Sequence, residues 1–227
     1  MLQGKQQPPL SARVFFPSDR QREIFQTATR LFLTQGYKKT TVRKIAQTMD
    51  IAPSMVIYYF GNKQNIALTF LQTKMQQLID EVHPLVNISE NPEVFCCTAV
   101  RLFQTVMASP NFYHFYHEMI EEKLFHKFFF TADGEVNSTT LIMNKYKIDL
   151  SPLQANIYSH YIMPSIEMAL WIAVGQEAPS EEILDLSFRA FMGLLRIPAD
   201  EVDIYCETGK TLVKQILEKR PDFLAIP

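Results

Sequence analysis

Cysteine is scarce in this sequence, with three residues in a chain of 227 amino acids. An odd number of cysteines, with no apolar signal segment after Met1, argues against a disulfide framework and predicts a reducing, cytoplasmic location. A long uninterrupted apolar segment is also missing, since the best candidate, residues 157–174, contains His160, Pro164 and Glu167. Because a membrane-spanning helix needs about twenty consecutive apolar residues, we expect no membrane segment.

Alternation of apolar and polar residues, the pattern of a half-buried strand, occurs in no stretch of useful length, and no repeat of fixed length is present. The common catalytic and phosphate-binding fingerprints are absent as well. The chain contains no G-x-S-x-G, no G-x-G-x-x-G, no phosphate-binding loop and no C-x-x-C motif. We therefore expect neither an enzyme nor a bound cofactor.

Charge is distributed unevenly, although the net charge is only −2. Residues 1–79 contain eleven Lys and Arg against three Asp and Glu, whereas residues 80–227 contain eleven against twenty-one. A basic segment followed by an acidic one predicts that the first part meets a polyanion. The plain alternative is that short segments differ in charge by chance.

Helical periodicity is abundant, and 47% apolar residues supply a core. Ser18 and Gln21 have the spacing of a capping box, and Gly36 ends the helix that follows them. Thr40 or Thr41 can cap a second helix with one buried face. Further helix starts are predicted at Pro53, Asn62, Pro92, Pro110, Pro152, Ser180 and Pro198, with an additional candidate near Asp133. The sequence therefore predicts an all-α protein.

The segment TTVRKIAQTMDIAPSMVIYYFGNK, residues 40–63, contains two short helices joined by a tight turn. In a helix-turn-helix the second helix lies in the major groove and the first crosses the DNA backbone. Arg43 is the best candidate for a bidentate contact with guanine, while tyrosine hydroxyls and Lys63 can donate to phosphates. The alternative is that Tyr58 and Tyr59 merely cover the core, which Val56 and Phe60 are expected to face.

These motifs resemble the DNA-binding domain of the TetR family of bacterial transcription regulators. The resemblance covers residues 20–66 and rests on A-x-x-L-F-x-x-x-G-Y from Ala28 to Tyr37, on T-T-V-R-K-I-A, and on the ending I-Y-Y-F-x-x-K. It implies an all-helical homodimer whose first three helices bind a double-stranded DNA operator. By this resemblance the DNA-facing residues are Thr41, Arg43, Lys44, Pro53, Ser54, Met55, Ile57, Tyr58, Tyr59 and Lys63.

The sequence departs from the family pattern at two positions near the turn. Asp50 stands where the family usually has glycine, and Ala52 where it usually has a capping serine or threonine. We expect Asp50 to adopt a left-handed backbone and Ser54 to take over part of the capping.

Three segments are expected along the chain. A flexible basic arm occupies residues 1–17, the DNA-binding domain 18–62, and a helical ligand-binding and dimerisation domain 63–227. The arm either reaches the minor groove or is a disordered tail. By resemblance, helices over about 152–174 and 180–196 form the dimer interface, and Pro164 should kink or split the first of them.

The C-terminal part is dense in aromatic residues, notably over residues 111–130 and 157–171. Helices that are apolar on several faces are either deeply buried or line a cavity, so core packing is the plain alternative for each residue. As a set they predict a pocket for a small, largely apolar effector. The candidate lining residues are Phe103, Met107, Phe115, Tyr116, Met119, Tyr158, Tyr161, Met168 and Trp171.

A metal site is the competing interpretation of one cluster. His114, His117, Glu118 and Glu121 lie within about half a helix circumference and could ligate zinc or iron. The cluster lacks the second histidine of a zinc protease helix, and alternating His and Glu usually form a solvated face. We therefore expect no metal, and a ligand-responsive repressor. An α-helical metal-binding sensor or enzyme that uses this cluster is the alternative.

Overall fold

The structure, a computed structural model, describes residues 16–124, 138–175 and 179–226. These ranges contain helices and no strand, which confirms the expected all-α class. The N-terminal helices are α1 (Asp19–Gln35), α2 (Val42–Thr48), α3 (Pro53–Phe60) and α4 (Lys63–Val82). The predicted arm lies almost entirely outside the described residues, as does the helix predicted near Asp133.

Eight helices follow in the described C-terminal part. They are α5 (Pro92–Ala108), α6 (Tyr113–Glu121), α7 (Ser138–Lys145), α8 (Pro152–Ile157), α9 (Met163–Val174), α10 (Glu181–Leu184), α11 (Leu186–Leu194) and α12 (Ala199–Lys219). A π-helical turn, Tyr158–Ile162, joins α8 to α9, and a 3-10 turn, Pro221–Leu224, follows α12. None of the described helices combines the length and apolarity needed to span a bilayer.

Side-chain caps fix the start of the first two helices. The Ser18 hydroxyl accepts a hydrogen bond from the Gln21 amide at 3.1 Å, and Gly36 ends α1 with φ at 92°. Thr41 caps α2 by accepting from the amide of Lys44, whereas the Thr40 hydroxyl donates to the carbonyl of Gly36 at 2.8 Å. Each cap occupies amides that the first helical turn leaves unpaired.

The turn between α2 and α3 follows the sequence expectation in one respect and departs from it in another. Asp50 has φ at 53°, the left-handed conformation expected there. Ala52 precedes α3 without a side-chain cap, and the expectation that Ser54 takes over this role is wrong. Val56 and Phe60 are buried, so α3 turns its opposite face outward.

Proline and capping residues also locate most C-terminal helices. The starts expected at Pro92, Pro152 and Pro198 are confirmed within one residue, and Ser151 forms a full capping box with Gln154 at the start of α8. In contrast, α6 begins three residues after Pro110, because residues 109–112 form a turn first. No pattern in the sequence indicated α7.

The π-helical turn lies immediately before the buried Pro164, in the second position of α9. Proline cannot donate the usual backbone hydrogen bond, and a π turn accommodates that loss. The segment 152–174 is therefore helical throughout and changes from α to π and back to α, whereas the sequence predicted a kink or a split at Pro164.

Helix α5 lies at the centre of the C-terminal part and packs against α4, α7 and α12. Helix α6 packs against α9 and also contacts α1, while α9 packs against α11. Helices α1–α3 form an N-terminal unit. Helix α4 contacts both α1 and α5, and α6 also contacts α1, so α4 and α6 connect this unit to the other described helices. One hydrophobic cluster runs through both units, and a second lies between α5, α7, α11 and α12.

Candidate functional site

The outward face of α3 exposes residues that burial does not require. Pro53 and Ser54 are exposed, as are Ile57 and Tyr58, at 52% and 83%. Met55 is half-buried. An aromatic side chain as exposed as Tyr58 makes no contribution to the core, so the core-covering alternative is wrong for this residue. The face is available to a partner.

Tyr59 packs both against the core and against Tyr58. Tyr59 is half-buried and packs against the core, and its ring lies 5.1 Å from that of Tyr58 in an edge-to-face arrangement. Tyr59 therefore supports Tyr58 and fixes the direction in which it leaves the helix.

Helix α2, which packs against α3, carries two cationic side chains. Arg43 is exposed, and within the part of the chain that the structure describes its guanidinium has no ion-pair or hydrogen-bond partner. Lys44 is half-buried and Thr41, the cap of α2, is exposed. A free guanidinium on the helix before α3 is available for a bidentate contact.

Lys63 has a role that the sequence did not indicate. Its ammonium donates to the carbonyls of Tyr37 at 2.9 Å and Thr40 at 3.1 Å, and lies 4.1 Å from the centroid of the Tyr37 ring. Burial lowers the pKa of Lys63, against the opposing effect of Glu122 and Glu118. Lys63 therefore closes the loop between α1 and α2, and its contact with a DNA phosphate stays a prediction.

The His and Glu cluster of α6 forms a joint between the two units. Glu118 accepts from the Lys38 amide at 3.1 Å, and Glu121 accepts from the Lys38 ammonium at 2.8 Å. His114 lies 3.4 Å from Glu118, and His117 lies 3.7 Å from Glu121. The carboxylates are thus engaged with the loop before α2, and we call the set Lys38, Glu118 and Glu121 the Lys38 joint.

The geometry of this cluster does not favour the metal alternative. Its four members form two separate pairs, and among the described residues they do not gather around one point. The solvated-face interpretation is also incomplete, because His117 and Glu118 are buried. Their burial is explained by the contact of α6 with the N-terminal unit.

Phe115 belongs to the same boundary and not to a ligand pocket. Its ring lies 5.9 Å from Phe32 and 6.5 Å from Tyr37, both in the N-terminal unit, and 5.4 Å from Phe70 of α4. Phe115 therefore packs the two units together.

Three of the predicted ligand-lining residues, one on each of α5, α6 and α9, have rings in contact. The Tyr116 ring meets Phe103 at 5.6 Å and Trp171 at 4.7 Å, both edge to face. We call these three rings the aromatic cluster. Met107 and Met119 are buried and Met168 is half-buried in the same large hydrophobic core. Side chains buried to this degree form part of the hydrophobic core in the observed conformation.

Tyr158 and Tyr161 are not part of that cluster. Tyr158 lies in the π turn and packs near Phe191 of α11, with ring centroids 6.5 Å apart. Tyr161 is 48% exposed. A pocket that includes all nine predicted residues is therefore not present.

A buried polar network borders the aromatic cluster. Glu167 of α9 accepts hydrogen bonds from Gln104 of α5, from the Trp171 indole at 2.7 Å, and from Ser187 of α11. Burial raises the pKa of Glu167, and these three donors oppose the shift. Within the described residues Glu167 has no cationic partner, and the Gln104 carbonyl oxygen accepts no hydrogen bond.

Sequence reasoning missed this network, although one signal was available. Glu167 interrupts an otherwise apolar segment, and a carboxylate on an apolar helix is buried only when it finds donors. The partners Gln104 and Ser187 lie on other helices, so sequence spacing could not identify them.

A small cavity lies beside the network. Its volume is about 10 Å³, which is close to the space of one water molecule. The residues that line it are Gln104, Leu170, Trp171, Val174, Pro179, Ile183 and Leu184. A larger effector can enter here only if the surrounding helices separate.

Known proteins resemble this chain in sequence. The family model described as bacterial regulatory proteins, tetR family, matches residues 24–69. The transcriptional regulator HbdR of Aromatoleum sp. (strain CIB) is 28% identical over 89 residues, which cover 39% of each chain. The transcriptional repressor AcnR of Corynebacterium glutamicum is 27% identical over 92 residues, 38% of this chain and 49% of that one. The chain thus spans less than half of the length of either relative.

One solved structure extends the likeness to the C-terminal part. It is Thermus thermophilus FadR, a TetR-family transcriptional repressor in complex with lauroyl-CoA. The TM-score is 0.61 at 14% identity, and the match covers 78% of this chain and 93% of FadR. At this identity the likeness concerns the fold alone.

Proposed function

We propose, on the premise that this chain belongs to the TetR family of bacterial regulatory proteins, that it is a ligand-responsive transcription regulator. A homodimer represses transcription from a palindromic double-stranded DNA operator, and a small, largely apolar effector releases it. Relatives of the DNA-binding part are transcription regulators, which supports a binding role in the cytoplasm and not a catalytic one.

The observation that carries the proposal is the exposed face of α3 beside the free guanidinium of Arg43. Tyr58, Ser54 and Pro53 face outward on a helix whose opposite side is buried, as a helix that enters the major groove requires. Arg43 supplies base or phosphate contacts, and the basic composition of residues 1–79 attracts the DNA backbone. Thr41, Lys44, Met55, Ile57 and Tyr59 remain proposed contacts from the family resemblance.

A second observation supports the proposed dimer. Helices α8, α9 and α11, with the π turn, expose large apolar side chains that a monomer would leave in water. These are Leu153, Ile157, Tyr161, Ile172, Leu186 and Leu194. They lie on the two segments expected to form the interface, so a second copy of the chain would bury them.

The proposed effector site is the aromatic cluster and the polar network next to it. Because the cavity there holds about one water, a ligand must separate α9 from α5 and α6 to bind. The ligand would therefore favour a conformation that differs from the closed one. Differential affinity for two conformations is what allows an effector to shift a population.

Helix α6 offers a route from this site to the DNA-binding unit. Tyr116 contacts Trp171 on the effector side, while Glu118 and Glu121 of the same helix hold Lys38 before α2. Helix α4, which contacts both α1 and α5, gives a parallel route. We propose that effector binding moves α6 and α4. This movement would change the distance between the α1–α3 units of the two protomers and lower the affinity for the operator.

A gel-shift experiment with genomic fragments of the source organism tests this function. At low salt the intact protein should retard a subset of fragments, and Arg43→Ala should retard that subset more weakly. Lys214→Ala is the matched control, since it removes one exposed cationic charge from α12. Absence of any retarded fragment with the intact protein would overturn the proposal.

A further inference from the structure

The three buried cysteines have different surroundings, and two of them meet. Cys97 lies on α5 and Cys206 on α12, and their thiols share a hydrogen bond. Asp185, between α10 and α11, completes the group. The two sulfur atoms and a carboxylate oxygen of Asp185 all lie within 4.8 Å of one another.

Close helix packing holds these atoms in place. A Cβ atom added to Gly209 of α12 would lie only 3.1 Å from the sulfur of Cys97. Glycine at this position therefore lets α12 approach α5 at the level of the two thiols. Cys97 and Cys206 are 1% and 0% exposed, so packing restricts their movement.

We propose that Cys97, Cys206 and Asp185 form a binding site for a thiophilic divalent cation such as Zn²⁺. In a tetrahedral zinc site with Zn–S bonds of about 2.3 Å, two sulfur ligands are about 3.8 Å apart. Donor atoms within 4.8 Å of one another reach this arrangement with shifts of about 1 Å or less. Two thiolates with one carboxylate favour Zn²⁺ or Cd²⁺ over Mg²⁺ or Ca²⁺.

The charges around the cluster balance when the ion is bound. Both thiols release their protons to solvent as the cation enters, so two thiolates and one carboxylate surround a divalent ion with a net charge of −1. The Arg101 guanidinium donates to Asp185 and is 3% exposed, and it brings the sum to zero. A neutral assembly is compatible with burial, and Arg101 would orient the ligating carboxylate.

Asp185 also gives a cation access to the site from solvent. Its side chain is 14% exposed, whereas the two thiols are inaccessible from the surface. A cation can meet the carboxylate first, and a water molecule on the same side can occupy the fourth coordination position. The bound ion would join α5, α12 and the junction of α10 and α11.

Cadmium titration of the purified protein tests the proposal, because thiolate-to-cadmium charge transfer gives an ultraviolet absorption band. We expect the band to saturate at one Cd²⁺ per chain. Cys97→Ser and Cys206→Ser should each lose the tight site, and Asp185→Asn should weaken it on the order of 10–100-fold. Cys96→Ser is the matched control, since this neighbouring thiol bonds toward Ser138 and should leave the titration unchanged.

A measurement on the unaltered chain keeps the test valid if a serine variant fails to fold. In mild urea, Zn²⁺ should slow alkylation of Cys97 and Cys206, read by peptide mass spectrometry, more than that of Cys96, which only the stability of the fold protects. Equal alkylation rates with and without Zn²⁺ would overturn the proposal. So would a Cd²⁺ band that survives in both Cys97→Ser and Cys206→Ser, or one that Cys96→Ser abolishes.

Discussion

Gly36 ends α1 at the point where the N-terminal unit meets α6, and its replacement by alanine tests the Lys38 joint. The residue has φ at 92° and ψ at 149°, a region that side chains other than glycine rarely adopt. A Cβ atom there would lie 3.0 Å from the imidazole of His114 and 3.1 Å from the carboxylate of Glu118. Gly36→Ala should therefore strain the backbone and displace a buried side chain together.

The expected loss in the free energy of unfolding follows from these two effects. Backbone strain in this region costs about 1–3 kcal/mol. His114 is largely exposed and can move aside, but Glu118 is buried and holds the Lys38 amide. Loss of a hydrogen bond to a charged group adds about 1.5–3 kcal/mol. We expect Gly36→Ala to reduce the free energy of unfolding by about 3–5 kcal/mol.

Gly175→Ala is the matched control for this experiment. Gly175 also has a positive φ, 71°, but no atom lies within 4 Å of its added Cβ among the described residues. It should cost only the backbone strain, about 1–3 kcal/mol. Urea unfolding of both variants measures the difference. If the two variants lose the same stability, Glu118 does not hold the joint as we describe it.

Three further outcomes are expected. Arg43→Ala should weaken operator binding by about 1–3 kcal/mol and relax the preference at one base pair, whereas Lys214→Ala should do neither. An equal loss of affinity for all DNA sequences would show that Arg43 contacts a phosphate and not a base. Burial raises the pKa of Glu167 above its ordinary 4.5, so its contribution to stability is complete below that pH and is lost as the pH rises through the raised value. The free energy of unfolding, measured with urea, should fall less with rising pH in Glu167→Gln than in the unaltered protein. Identical pH profiles for the two proteins would contradict the raised pKa. Trp171, the only tryptophan, should change its fluorescence with any compound that releases DNA, and constant emission would locate the effector elsewhere.

Local signals in the sequence were enough for most of the fold. Ser18, Gly36 and Pro92 mark helix boundaries through capping and backbone preferences, which act over three or four residues. The spacing of Val56 and Phe60 likewise indicates which face of α3 is buried. These features depend on neighbours along the chain, so one sequence contains the information.

Contacts between distant helices could not be obtained in this way. Periodicity shows that a helix face is buried, but not which helix covers it, so Phe115 was expected in a pocket and lies against Phe32. Lys63 was expected to face phosphate because it lies at the N-terminus of α4, where backbone amides attract anions, and the sequence did not indicate that two carbonyl groups of the α1–α2 loop would accept from it. The Glu167 network joins three helices, so it could not be predicted from the sequence for the same reason.

Hydroxyl-radical footprinting on a fragment selected from genomic DNA tests the central claim most directly. A dimer with two α3 helices in successive major grooves should protect two half-sites related by a dyad, with centres about 34–36 Å or a multiple apart. Protection of both half-sites should weaken together in Arg43→Ala and persist in Lys214→Ala. Complete absence of protection, or a single protected patch without a dyad, would contradict a dimeric DNA-binding regulator.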